Sequence, residues 1–300
     1  LEQRNKAMNE FVAQLISLLR KNDVYSILVK GQGIAQCYEK PLWRTCGDVD
    51  LLLSEENYEK AKAFLMKMAV AIDEEDVERK HLGMTIDGWV VELHGTLHTR
   101  FLTRLNRIVD NVQQDVFLCG NVRSWVNGST QVFLPSPDND VFFVFSHILQ
   151  HYFGEGVGLR QICDWCRLLY NYRESLNHGL LEQRMKRAGI MTEWKTFAAV
   201  AVDYLGMPTD AMPLYSSNRR WSRKGYRVME FIIESGNFGH NRDNSYRGKS
   251  SFIVRKAISL WRLTRNTVKQ FMIFPLDSVK VWWQRIIAGF SAGFKRKGHE

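Results

Sequence analysis

Met8, Phe11, Val12, Leu15, Ile16 and Leu19 recur every three or four residues, which puts them on one face of an amphipathic helix over residues 3–20. Tyr25 to Lys30 is a short apolar run that stops at Gly31, and helical spacing resumes after Gly33 with Ile34, Ala35 and Tyr38. That segment reads as strand, glycine turn, helix. Asp48-Val49-Asp50-Leu51-Leu52-Leu53 reads as a buried strand, and Ser54 followed by Glu55 and Glu56 offers an N-cap and first-turn acids for a helix to about Val70. Val77 to Leu82 and Met84 to His94 read as strands broken at Gly83 and at Asp87-Gly88. Val122 to Val126 and Gln131 to Leu134 form a further pair around Asn127-Gly128, and Pro135-Ser136-Pro137 marks a boundary.

Beyond Pro137 the strand patterns end. Helical periodicity predicts helices near 138–153, 158–172, 179–188, 191–205, 218–234, 252–272 and 279–294, with a glycine-punctuated loop from Gly236 to Gly248. No internal repeat or low-complexity stretch interrupts this order. The expected class is α+β: a small mixed-sheet domain over residues 1–136, then an all-helical domain over 137–300 that ends in a basic amphipathic tail.

Composition narrows the field. With 300 residues, 45% of them hydrophobic and 24% charged, the chain has ordinary globular character, which excludes disorder and collagen-like repetition. Five cysteines are an odd number spread along the chain, so a secreted disulfide framework is not expected and a reducing, cytoplasmic setting is. Neither a run of 18 apolar residues nor a signal peptide is seen at Leu1-Glu2-Gln3-Arg4, and a start at Leu1 rather than Met suggests residues upstream. The net charge of +9 is concentrated at the end: residues 251–300 hold ten basic residues and two acids, 10 − 2 = +8. Val279, Trp282, Trp283, Ile286, Ile287, Phe290 and Phe294 share a helical face there. Packing against the other helices is the favoured account of that face, and peripheral contact with a membrane or another anionic surface is the second.

The chemistry resides in acids placed where acids are costly. Asp48 and Asp50 lie two apart on a strand, hence on one face and roughly 7 Å apart along the backbone. Beside Leu51-Leu52-Leu53 they repel unless a cation neutralises them, and Mg²⁺ suits hard oxygen ligands. Glu92, in Trp89-Val90-Val91-Glu92-Leu93-His94, is a third acid among apolar neighbours. If its strand lies beside Asp48 and Asp50, the trio makes a two-metal site for phosphoryl or nucleotidyl transfer. The plainer alternatives are a solvated strand end for the aspartates and a buried ion pair for Glu92. Lys30-Gly31-Gln32-Gly33 ends a strand and opens a helix, where backbone N–H groups receive phosphate, although glycine at such a junction is most often only a turn. Arg44 fits a triphosphate clamp or a salt bridge, and His94 fits an orienting group for Glu92 or a core histidine. His147 and His151 lack the glutamate of a zinc protease between them and read as lining the cleft between the halves or stabilising the helix pair, and Cys163 and Cys166 have redox spacing but no second pair, so they read as core cysteines on a helix.

Lys30-Gly31 before a helix, Tyr38, Arg44 leading into Gly47-Asp48-Val49-Asp50-Leu51-Leu52, and then Glu92-Leu93-His94 resemble the uncharacterised bacterial nucleotidyltransferase family of the DNA polymerase β superfamily. These motifs cover about residues 30–94, and His147, His151 and Asp164 of the helical half are similar to that family too. The resemblance implies a nucleotidyltransferase domain over 1–136. It makes Asp48 and Asp50 ligands of Mg²⁺ (or Mn²⁺), Glu92 the third ligand and base, and Gly31, Gln32 and Gly33 the phosphate cradle, with Lys30 and Arg44 neutralising the triphosphate. Two positions depart from the superfamily pattern: Gln32 stands where Gly or Ser is usual, and Glu92 where Asp is. The implied reaction transfers NMP from NTP to an acceptor hydroxyl or phosphate. Other readings are a non-catalytic module binding membrane, nucleic acid or polysaccharide through its tail, and phosphotransfer or nuclease chemistry at the same metals. Related chains are associated with bacterial surface-polysaccharide loci.

Overall fold

The computed structural model describes residues 1–100, 102–154, 156–236 and 252–297, with the side chains at 252, 253, 255–257 and 288–297 left out of the description. By contact the chain forms two compact units. The first comprises Leu1–His98, Leu105–Phe145 and Asp164–Arg184, and the second Thr99–Arg104, Ser146–Cys163 and Met185–Glu300.

The first unit is built on a seven-stranded mixed sheet, as the α+β pattern implied. Its strands are β1 (Ile27–Val29), β2 (Asp48–Leu52), β3 (Ala71–Ile72), β4 (His81–Ile86), β5 (Trp89–His94), β6 (Val122–Asn127) and β7 (Thr130–Pro135), in the order β3-β4-β5-β2-β1-β7-β6. β2 runs antiparallel to β1 and parallel to β5, and β1 is parallel to β7. Helix α1 (Glu2–Lys21) buries the stripe expected of it, Met8, Phe11, Val12, Leu15, Ile16 and Leu19. These residues join Leu28, Val49, Leu51, Val91, Leu93, Val132 and Leu134 of the sheet, and Tyr58, Ala61 and Leu65 of α3 (Glu55–Leu65), in one hydrophobic core. Ser54 caps α3 by accepting from the Asn57 N–H.

Four details differ from the sequence pattern. Helix α3 ends at Leu65 rather than near Val70, because the Val70 N–H is already bonded to the Thr85 carbonyl at the sheet edge, 2.9 Å away. β4 runs through Gly83 unbroken. The missing side chain there leaves room for the Asp73 carboxylate, and Val77–Lys80 forms the preceding turn, where Asp76 accepts from Arg79 and Lys80 has φ +46°. β3 escapes a pattern reading because it is two residues long. Helix α4 (Asn106–Leu118), which follows α2 (Gly31–Ala35) and α3 in chain order, had a signal that was not used: Ile108, Val109, Val112 and Val116 are buried at helical spacing.

Helices α5 (Pro137–Phe153), α6 (Leu159–Tyr172), α7 (His178–Ala188), α8 (Met191–Leu205), α9 (Arg219–Ser235), α10 (Phe252–Phe271) and α11 (Pro275–Lys297) match the helical pattern closely. The loop expected from Gly236 to Gly248 lies, beyond Gly236, outside the described residues. In the second unit Tyr152 makes edge contacts with Phe197, Phe231 and Phe274, and Gly225 lets α9 approach α8, where a Cβ would sit 3.3 Å from Ala199 and 3.4 Å from the Val200 nitrogen. The last helix meets the packing account of its apolar stripe only in part, with Trp282 and Ile286 half-buried. Val279, Trp283 and Ile287 are exposed, and the buried side carries Asp277, Ser278 and Val281. The side chains of Phe290, Phe294, Lys295, Arg296 and Lys297 lie outside the description.

Candidate functional site

Alternation along the strands separates chemistry from core. On β2, Val49 and Leu51 enter the core, so Asp48 and Asp50 project from the opposite face. On β5, Val91 and Leu93 enter the core, so Glu92 and His94 project with the aspartates. Register completes the grouping, with Asp50 beside Glu92 and Leu52 beside His94. β4 then places His81 opposite His94, and Gly83 opposite Glu92. The two acidic strands are adjacent, as the sequence pattern required for a shared site.

Asp50 is 2% exposed, and its Oδ1 accepts from the Lys30 ammonium at 2.7 Å while lying 2.8 Å from His94 Nε2. Burial alone would raise its pKa, but Lys30 and His94 outweigh burial and hold the carboxyl below its ordinary range. The Asp50 charge is the main reason that Asp48 is pushed up to about 6, with burial second. Glu92 is also buried enough to be raised, yet contacts with His81 and His94, and the nearby Lys30 charge, hold it below its ordinary range. His94 in turn is raised: burial opposes its charge, and the two carboxylates more than compensate. Among the described residues, the His, Cys, Asp and Glu side chains close enough to share an ion are His81, Glu92 and His94, with ligand atoms all within 4.8 Å of one another. His81 escaped the sequence reading, since nothing in the run from Val77 to Leu82 marks which face it occupies.

The glycine turn abuts the same corner. Lys30 adopts φ +57° and Gly31 φ +33°, and a Cβ on Gly31 would sit 3.5 Å from the Asp48 carbonyl oxygen. A non-glycine residue held at positive φ is locally strained, and such strain concentrates at functional sites. Gly33 serves packing, because its missing Cβ leaves space for the Leu134 side chain. Gln32 is 1% exposed, and neither its Oε1 nor its Nε2 has a hydrogen-bond partner. A buried amide in that condition costs about 1–3 kcal/mol, so it marks a place where a further polar partner would be stabilising.

Arg44 is engaged in an ion pair with Asp164. Its guanidinium donates to both Asp164 oxygens, from Nε at 3.1 Å and from Nη2 at 2.6 Å, and Nη1 lies 3.2 Å from Cys46 Sγ. Tyr38 Oη donates to the same aspartate at 2.8 Å. Of the two roles open to Arg44, the salt bridge is the one occupied here, and its partner sits 120 residues away in sequence. His147 and His151 contact each other in the second unit, Nε2 to Nε2 at 3.1 Å.

No curated protein and no solved structure matches the chain. A family model described as an uncharacterised nucleotidyltransferase matches residues 1–206, a span that takes in the sheet, the glycine turn and all three carboxylates. That span is more than half of the chain, and the protein therefore belongs to the uncharacterised nucleotidyltransferase family.

Proposed function

We propose that the protein transfers a nucleoside monophosphate from an NTP to an acceptor hydroxyl or phosphate and releases pyrophosphate, with Mg²⁺ (or Mn²⁺) held by Asp48, Asp50 and Glu92. The supporting observation is the like-charge crowding on one sheet face: Asp50 stands beside Glu92 in register, and its charge lifts the Asp48 carboxyl to about 6. Hard oxygen donors crowded in this way fit a divalent cation. When bound, the metal would stabilise charge on the attacking and leaving oxygens. Gly31, Gln32 and Gly33 would cradle phosphate, and the unpartnered Gln32 amide supports that role. Lys30, now paired with Asp50, would turn to the triphosphate as the metal takes its place. Arg44, carried on the loop that leads into β2, would fix that loop through Asp164 and add positive charge toward the phosphates. In the transfer, the acceptor oxygen bonds to the α-phosphorus, the bond from that phosphorus to the α,β-bridging oxygen breaks, and the acceptor proton passes to Glu92.

The test is the double substitution Asp48→Asn with Asp50→Asn, with circular dichroism as the control for folding. Metal-dependent NTP turnover should disappear, and unchanged turnover refutes the assignment. Mass spectrometry of the acceptor after incubation with each NTP separates the chemistries, since an NMP adduct supports nucleotidyl transfer and a phosphate adduct supports phosphotransfer.

The exposed end of the chain supports a second role alongside the first, contact with an anionic lipid bilayer. Val254, Trp261, Val268 and Met272, on or just past α10, and Leu276, Val279, Trp283 and Ile287 on α11 follow helical spacing and are exposed. Residues 251–300 carry a charge of 10 − 2 = +8, which fits an acidic headgroup layer. No described helix is long and apolar enough to cross a membrane. Trp261→Ser with Trp283→Ser should release the protein from phosphatidylserine vesicles, and sedimentation unchanged by the pair, or equal with neutral vesicles, refutes this contact.

A further inference from the structure

Two imidazoles converge on one oxygen of Glu92. His81 Nε2 and His94 Nε2 both approach the same oxygen, Glu92 Oε2, at 3.2 and 3.4 Å. The His81 contact is at the long end of the N–H···O range, and the His94 contact is beyond it. A tetrahedral ion with ligand distances of about 2.0–2.1 Å places its donor atoms about 3.3–3.4 Å apart, which is the spacing seen here. Asp50 Oδ1, which holds the Lys30 ammonium at 2.7 Å, lies 2.8 Å from His94 Nε2 and orients that imidazole from outside the group. The geometry points to a second cation site, made by His81, Glu92 and His94, for a divalent ion that accepts imidazole nitrogen, of the Zn²⁺ class rather than Mg²⁺, with water as its fourth ligand.

Local structure supports the assignment. His81 and His94 are paired across β4 and β5, so the strands set the two imidazoles side by side, with ring centroids 4.8 Å apart. Gly83 faces Glu92 in register and puts no side chain of its own against the carboxylate, while the Asp73 carboxylate occupies the space beside it. The three ligand atoms lie within 4.8 Å of one another, so a modest rotation of His81, the most exposed of the three at 32%, closes the set. Imidazole and carboxylate together favour Zn²⁺ and its neighbours over a hard ion that keeps its waters. The site shares Glu92 with the proposed nucleotidyl-transfer centre, but its existence does not depend on that chemistry, since the donors converge without nucleotide.

The experiment uses the full chain stripped of metal with a chelator. Zn²⁺ is titrated against a chromogenic competitor, and Co²⁺ is titrated with its visible absorption as a report of geometry. One equivalent of Zn²⁺ should bind more tightly than any Mg²⁺. Co²⁺ should give the intense band of a four-coordinate site, and His81→Gln should abolish that band and weaken Zn²⁺ binding by at least about tenfold. Zn²⁺ binding that His81→Gln leaves intact, as cysteine ligands would give, overturns the proposal, as does the absence of a tight equivalent in the unsubstituted chain. Mg²⁺-dependent NTP turnover, measured separately on both proteins, reports on the nucleotidyl-transfer reading, so the failure of one proposal is distinguishable from the failure of the other.

Discussion

Removing Asp164 should expose how strongly the first unit depends on one ion pair. Arg44 is 9% exposed and Asp164 3%, and the guanidinium meets both carboxylate oxygens while Tyr38 Oη donates to one of them. Burial by itself would lower the Arg44 pKa, and the Asp164 contacts reverse that and raise it, so the guanidinium is held in its charged form. Asp164→Ala leaves a buried guanidinium with Cys46 Sγ, 3.2 Å from Nη1, beside it. Breaking a buried pair on one side costs about 3–5 kcal/mol, of which an uncompensated charge is the larger share. Replacing both partners by apolar residues of similar size removes the charge as well, so Arg44→Met with Asp164→Leu should cost far less than the sum of the single changes. The interaction energy from that cycle should be on the order of 2 kcal/mol or more. Equilibrium urea unfolding reads the four proteins, with fluorescence of the fully buried Trp165, the next residue in the chain, as the signal. A loss of less than about 1 kcal/mol for Asp164→Ala, the range of exposed pairs, would refute the reasoning.

Gly33→Ala should destabilise the first unit by about 1–3 kcal/mol in the same assay, because the new Cβ would stand 2.7 Å from Leu134 Cδ2. Leu134→Ala in the same chain should recover part of the loss attributable to the clash, and a neutral Gly33→Ala would show that Leu134 moves freely. In the second unit, Glu193 is raised from its ordinary 4.5 to about 8, first by burial and then by the adjoining Asp277 carboxyl, against the pull of Arg104. The folded chain thus keeps a proton that the unfolded chain releases near 4.5. Stability from this source should be highest below that pH, fall between about 4.5 and 8, and level off above. The groups facing Glu193 are Asp277, Arg104 and Lys224. Glu193→Gln should flatten the decline of Tm between pH 5 and 9, and an unchanged slope would assign the decline to other groups.

Sequence periodicity settled most of the secondary structure because each element satisfies a local rule. The α1 stripe, the alternation that sends Val49 and Leu51 one way and Asp48 and Asp50 the other, and the Ser54 cap all follow from neighbours within a turn or a strand. The exceptions were decided by contacts distant in sequence. Val70 stops being helical because it bonds to Thr85, and Gly83 continues a strand because Asp73 fills the space beside it. By contact, Asp164–Arg184 groups with the sheet unit, a grouping set by residues far apart in the chain.

The candidate site shows the same division. Composition and spacing identified Asp48, Asp50 and Glu92 as acids whose apolar surroundings demand a cationic partner, since the cost of burying a carboxylate follows from its neighbours in the chain. Which cations answer that demand depends on strand order and register. Placing β5 beside β2 sets Glu92 against Asp50, placing β4 beside β5 brings in His81, and the turn after β1 delivers the Lys30 ammonium. Arg44 meets Asp164 across 120 residues for the same reason. A charge's need for compensation is a local property, but its partner is chosen by the tertiary packing that excludes water around both.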